Sequence, residues 1–212
     1  MNSHRFSRRS LLLGSGAILS PMRGALAADI VPTPQQTEGP FYPVQFPSDV
    51  DYDLVQVRGS AAQAMGTVLH LQGRLLGVDG RALDGAQIEI WQCDAQGIYD
   101  HPRQPGRDRR DQAFQGYGRT TVDAEGRYSF RTLKPVAYPG RTPHIHVKVA
   151  SREGGRLTTQ LYVAGDPQNA RDFVYREALR DPRQRERIEM RLEPAPGLEP
   201  GALATTMDVV VG

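Results

Sequence analysis

Cysteine is nearly absent. Cys93 is the only one in 212 residues, so no disulfide can form within the chain and the fold must rest on packing and hydrogen bonding. A lone cysteine reads as a small buried hydrophobe. Net charge is also scarce, at +2, and Arg5, Arg8, Arg9 and Arg23 fall within the first 27 residues, which hold no acid. The remainder carries 22 basic and 24 acidic residues, about −2, and so lacks the basic footprint that nucleic acid requires. No repeat of fixed period, no low-complexity tract and no apolar run of comfortable membrane-spanning length occurs. Helical spacing is confined to Pro167 to Leu179, where Phe173, Val174, Ala178 and Leu179 share one side. Against these absences stand 22 glycines and 16 prolines, a composition suited to a turn-rich β domain.

Residues 1–27 combine a basic start, an apolar run from Leu11 to Leu19 and the small-x-small pattern Ala25-Leu26-Ala27, which predicts a secretory signal. Arg8-Arg9 just ahead of the apolar run resembles the twin-arginine type, whose cargo is exported folded. The mature protein is therefore expected in the periplasmic or extracellular space, free of the membrane. Residues 28–66 read as an arm and loop, with the aromatic segment Thr37-Glu38-Gly39-Pro40-Phe41-Tyr42-Pro43 lying over the body and Phe41 and Tyr42 as anchors.

Residues 67–212 predict one domain. Alternation marks strands at Thr67 to Leu76, Ala86 to Cys93, Arg127 to Arg131, Leu157 to Val163, Ile188 to Leu192 and Ala202 to Val211, in addition to the histidine strand considered next. Turns fall at Asp79-Gly80, Asp94 to Gly97 and Asp123 to Gly126. The sum is an all-β antiparallel sandwich with one short helix and long loops at its functional end. His70 has no visible partner and reads as structural, and His101 reads as a loop histidine in solvent.

The chemistry concentrates between Tyr138 and Val149. His144 and His146 lie two apart in a strand, so both imidazoles emerge on one face while Ile145, Val147 and Val149 enter the apolar layer. Pro139, Gly140 and Pro143 break the chain just before, in a loop that brings Tyr138 close. Tyr99 ends a strand-and-turn unit, where loops carry functional groups. Two imidazoles with two phenols suit a strongly Lewis-acidic trivalent ion. Tyrosine holds its proton to about pH 10, and only concentrated positive charge ionises it at neutral pH. Zinc favours cysteine, histidine and carboxylate, and copper favours nitrogen or thiolate. The set points to iron(III).

Several segments, in order, resemble the intradiol ring-cleavage dioxygenases: Thr37 to Tyr42, Ala86 to Trp91 running into Gly97-Ile98-Tyr99, Phe114 to Arg119, Gly126 to Phe130 with Pro135 and Tyr138-Pro139, and Arg141-Thr142-Pro143-His144-Ile145-His146. The resemblance spans roughly residues 35 to 166. It implies a prealbumin-like sandwich holding Fe(3+), with Tyr99 and His144 as equatorial ligands and Tyr138 and His146 as axial ones. It also implies Arg141 against the substrate ring and Gln160 near the bound catechol. Catechol and O2 are the implied substrates, Tyr138 the ligand displaced by substrate, and a muconate-type diacid containing both oxygen atoms the product. The chain departs from several members in its short link from Tyr138 to His144 and in lacking room ahead of Thr37 for a helical dimerisation region. A pocket with fewer walls is expected either to accept larger catechols or to be completed at a subunit contact in a homo-oligomer. The competing reading is an exported transthyretin-like binding or structural module without turnover, and a third is a copper or zinc site on the histidine pair alone.

Overall fold

Period-two alternation becomes two β-sheets in the computed structural model, which describes residues 30–179 and 181–212. The signal-like residues 1–27 lie outside the described residues. Among the described residues the strands in chain order are β1 (Val68–Gly77), β2 (Gln87–Trp91), β3 (Tyr117–Thr121), β4 (Arg127–Leu133), β5 (His144–Ala150), β6 (Arg156–Val163), β7 (Glu189–Met190), β8 (Glu193–Pro194), β9 (Leu203–Thr206) and β10 (Val209–Val211), with one α-helix, α1 (Phe173–Ala178). One sheet is built on β1, which pairs with β4 on one side and with β9 and β10 on the other; β8 joins at β9. The other runs β3-β2-β5-β6-β7.

Leu69, Leu71, Leu75 and Phe130 of the first sheet belong to one buried cluster with Ile88, Ile90, Ile145, Val147, Val149 and Leu161 of the second. Burying each such side chain contributes about 1.5–3 kcal/mol, which drives the sheets together. As alternation requires, His144 and His146 point away from this core, onto the outer face of the second sheet. That face is closed by the arm: Gln36 N donates to Thr158 O (2.7 Å), Lys148 pairs with Glu38 (2.6 Å), and Tyr42 Oη donates to Glu89 (2.7 Å).

The all-β sandwich is as expected, and several local expectations differ. Three pairings are parallel, β1 with β9, β1 with β10, and β6 with β7, because these partners return by long connections rather than by hairpins. The strand expected from Ala202 to Val211 divides into β9 and β10 with one register against β1 on both sides of the break. At the break the Met207 carbonyl turns toward Gly73 and accepts the Tyr128 hydroxyl (2.6 Å). The expected helix shortens at its start to Phe173, where Asp172 caps it by accepting from Val174 N and Tyr175 N, and Phe173 is exposed rather than on the buried side. His70 does have a partner: its Nε2 lies 2.9 Å from Glu199 Oε1, within a cluster where Arg131 also binds Glu199 and Asp53. Cys93 is buried, and burial pushes its thiol up to about 12, consistent with an inert hydrophobe.

A methyl on Gly73 would lie 1.9 Å from the Met207 carbonyl oxygen, backbone that cannot step aside. Gly73→Ala is therefore expected to destabilise the fold by about 1–3 kcal/mol or more, read as a lowered urea midpoint; an unchanged midpoint would show that the break is soft. The Arg131 guanidinium holds the Glu199 carboxyl down at about 2, against an ordinary 4.5. A depressed folded value gives stability that is complete above the unfolded value and is lost as pH falls toward 2. Glu199→Gln is expected to lower stability at neutral pH and flatten its fall between about pH 4.5 and 2 in pH-dependent denaturation.

Candidate metal centre

β5 lies between β2 and β6, and its register sets up two rows of side chains on the outer face. His146 stands opposite Trp91 on one neighbour and Gln160 on the other; His144 stands opposite Tyr162. The Trp91 ring stacks flat on His146, with centroids 4.7 Å apart and planes 9° apart, and fixes its tilt. His144 Nδ1 donates to the Thr142 carbonyl (2.6 Å), which leaves the Nε2 of a neutral ring bare. Burial disfavours the charged form of both rings. Burial, aided by the Arg141 charge, lowers His144 to about 4, and burial with His144 and Arg141 nearby takes His146 well below its ordinary value.

The loop after β2 carries Tyr99 in, and the turn closed by the Tyr138–Arg141 bridge carries Tyr138. His144 Nε2 and His146 Nε2 are 3.2 Å apart, and His146 Nε2 is 3.2 Å from Tyr99 Oη. The Tyr138 ring lies 5.5 Å from that of Tyr99 and 5.4 Å from that of His144. Neighbouring donors around one ion bound at about 2.0–2.2 Å stand about 3 Å apart, so these spacings fit a shared ion. The bare nitrogen of His144 faces the other imidazole at hydrogen-bond distance, and His146 Nδ1 is buried with no partner. Such a pair needs a proton or a cation between its members. Burial raises the proton affinity of both phenols, most for Tyr99; Arg141 partly offsets it at Tyr138. A trivalent cation reverses that balance by stabilising phenolate. Among the described residues no group of three His, Cys, Asp or Glu could hold an ion, so a metal here depends on the phenols.

Arg141 reaches the same space. Its Nη1 is 3.4 Å from Tyr138 Oη, its Nη2 donates to Gln160 Oε1 (2.5 Å), and its Nε donates to Asp172 Oδ2 (2.8 Å). Gln160 is fixed in turn, its amide donating to Thr37 O (3.0 Å) and its oxygen facing Tyr162 Oη (3.1 Å). Thus the six residues singled out in the sequence, Tyr99, Tyr138, Arg141, His144, His146 and Gln160, converge on one region.

Other neighbours carried weaker signals. Phe41 stacks on Tyr99 with centroids 4.7 Å apart and closes that side against water. Gln36 accepts the Tyr162 hydroxyl (2.5 Å); nothing local marks it, because its contact crosses 126 residues. Asp172 could have been found as an Asp directly before an apolar helical run, the usual cap signal. His101 departs from the expectation of a solvent-exposed loop residue: it is 2% exposed, packs edge-on to Phe41, and accepts from Arg103 N.

Comparison with known proteins follows the same line. Residues 37–193 match a family described as dioxygenase. The chain is 34% identical over 166 residues to the protocatechuate 3,4-dioxygenase beta chain of Burkholderia cepacia, covering 72% of this chain and 71% of that one. It is 32% identical over 167 residues to catechol 1,2-dioxygenase of Acinetobacter baylyi, covering 69% of this chain and about half (52%) of that enzyme. The dioxygenase domain of a dioxygenase and carbohydrate-binding fusion from Streptomyces sp. SirexAA-E superimposes with a TM-score of 0.65 at 31% identity, over 85% of this chain and 97% of that one. An intradiol ring-cleavage dioxygenase of Tetranychus urticae, at 20% identity and a TM-score of 0.66, shares the fold. Together with the buried pairing of imidazoles and phenols on the outer face of the second sheet, these matches show that the chain belongs to the intradiol ring-cleavage dioxygenase family of oxidoreductases.

Proposed function

We propose that the protein holds one ferric ion through Tyr99, Tyr138, His144 and His146 and cleaves a catechol-type diol between its two hydroxylated carbons, inserting both atoms of O2 to give a muconate-type diacid. The observation that carries this reading is the pair of facing Nε2 atoms at 3.2 Å with Tyr99 Oη at the same distance. When bound, iron(III) would supply the Lewis acidity that chelates both substrate oxygens and opens the aromatic ring to attack by O2.

The chain's own groups have separable tasks. Tyr138 is the less buried phenol, 3.4 Å from Arg141 Nη1, and its Oη would accept a proton from a substrate hydroxyl. Tyr99, pinned under Phe41 and 2% exposed, stays in place. Arg141 presents a fixed guanidinium to the negative charge that develops on the ring and its oxygen. Gln160 holds the guanidinium's Nη2 edge. Trp91 and Phe41 exclude water from the ligand side, which strengthens each of these interactions.

The short link between Tyr138 and His144 leaves Gly140 in open space, and this supports a mouth that admits substituted catechols. Residues 1–27 support action outside the cytoplasm after twin-arginine export. A transthyretin-like module without turnover has no use for a guanidinium aimed between a phenol and a glutamine, and a site for copper or zinc on two histidines leaves both tyrosines unused.

Oxygen uptake with a panel of catechol, protocatechuate, hydroxyquinol and bulkier aryl catechols is expected to give one O2 per ring and a diacid product; no uptake by iron-loaded protein with any of them would overturn the reading. Native protein is expected to be reddish from tyrosinate-to-iron charge transfer. In Tyr99→Phe that band weakens and iron is retained less well, so an unchanged spectrum would remove Tyr99 from the ligand set. Arg141→Ala is expected to keep its iron and lose about 100-fold or more in kcat, as for removal of one charge-stabilising donor.

A further inference from the structure

Arg141 is held from behind by a carboxylate that no part of the proposed reaction uses. Asp172 has a side chain with 0% exposure, and it divides its two oxygens between two tasks. Oδ1 accepts from Val174 N (2.9 Å) and Tyr175 N (3.0 Å) and so caps α1. Oδ2 accepts from Arg141 Nε (2.8 Å) and from Thr142 N (3.0 Å). A helix cap needs only one acceptor oxygen. The second oxygen faces the functional side of the molecule, and both of its donors lead there. Through Nε it fixes the plane of the guanidinium, leaving Nη1 for Tyr138 Oη and Nη2 for Gln160 Oε1. Through Thr142 N it fixes a peptide at the base of β5, and the carbonyl of that same residue accepts the His144 Nδ1 proton.

We infer that Asp172 is the positioning residue of the site: by binding Arg141 Nε it sets the angle at which the guanidinium meets the substrate ring. The inference rests on the proposed ring cleavage for its kinetic consequence. The geometry makes a specific demand, because an arginine gripped at Nε rotates only about the axis that its carboxylate allows, and a fork aimed about 1 Å off its target loses much of its effect on a developing charge. Asparagine at this position cannot serve. With its oxygen on the cap, its NH2 would face two donors, Arg141 Nε and Thr142 N. Serine keeps a capping oxygen but is too short to reach the guanidinium.

The test is a double-mutant cycle in the iron-loaded full chain, with Asp172→Asn and Asp172→Ser each made alone and in an Arg141→Ala background. Each single variant is expected to bind iron as the parent does and to lose about 10- to 100-fold in kcat, with KM for catechol moving by less than about threefold. In the Arg141→Ala background the same changes at Asp172 are expected to cost much less in kcat than in the parent, because the main residue through which they act is gone. A readout free of turnover accompanies this. In gallium(III)-loaded protein the Arg141 Nε–H is expected to exchange slowly with solvent in the parent and rapidly in both variants.

Losses of equal size in the two backgrounds, an unchanged kcat in the single variants, or a slow Nε–H surviving in them would overturn the inference. Failure of both variants to fold would also overturn it and leave Asp172 as a helix cap alone. If the parent consumes no oxygen with any catechol, the ring-cleavage reading fails. The exchange measurement would still report whether Asp172 holds Arg141.

Discussion

Two imidazole nitrogens 3.2 Å apart in a buried recess are the constraint around which the molecule is arranged. Burial disfavours charge on both rings, and one has its only proton committed to the Thr142 carbonyl, so its bare Nε2 faces the other imidazole at hydrogen-bond distance. Two phenols stand beside them, and burial keeps both protonated unless positive charge arrives. The arrangement has rigid support on several sides. Trp91 stacked on His146, Phe41 stacked on Tyr99 and the Asp172–Arg141–Gln160 chain supply it.

The division of labour between the faces of one sheet explains how so small a domain affords both a core and a buried polar site. Odd-numbered residues of β5 join Ile88, Ile90 and Leu161 in the apolar layer between the sheets. Even-numbered ones face outward, where an ordinary sandwich would be wet. Here the arm and loops cover them, anchored by the Glu38–Lys148 and Tyr42–Glu89 contacts and by backbone pairing of Gln36 with β6. The site is thus built by segments with no period of their own, on a strand whose period decides which side chains they meet.

How much of this was legible in the sequence follows from the range of each interaction. The histidine strand and the turn bringing Tyr138 are readable because local alternation and turn residues carry them, whereas the approach of Tyr99 to the histidines, across 47 residues, comes from the family resemblance. Family resemblance added the roles of Arg141 and Gln160. What stayed hidden was long-range register. Nothing near Gln36 announces a contact with Tyr162, and nothing near Trp91 announces that it lies opposite His146. The break between β9 and β10 is invisible for the same reason, since it depends on Met207 meeting a glycine in β1. A helical spacing that opens at Pro167 hides Asp172, because the structure starts the helix at Phe173 and makes Asp172 its cap. His101 was misread because a polar loop suggested solvent, whereas Phe41 covers it.

The central claim is that side chains from three segments supply oxygen and nitrogen donors, and no sulfur, to a single iron. X-ray absorption at the iron K-edge of the purified full-length chain tests it most directly. The account predicts about one iron per chain in the ferric state, with a first shell of only oxygen and nitrogen at about 1.9–2.2 Å and an imidazole scattering signature. Protein active in ring cleavage but free of iron, or a shell containing sulfur from Cys93, would contradict it.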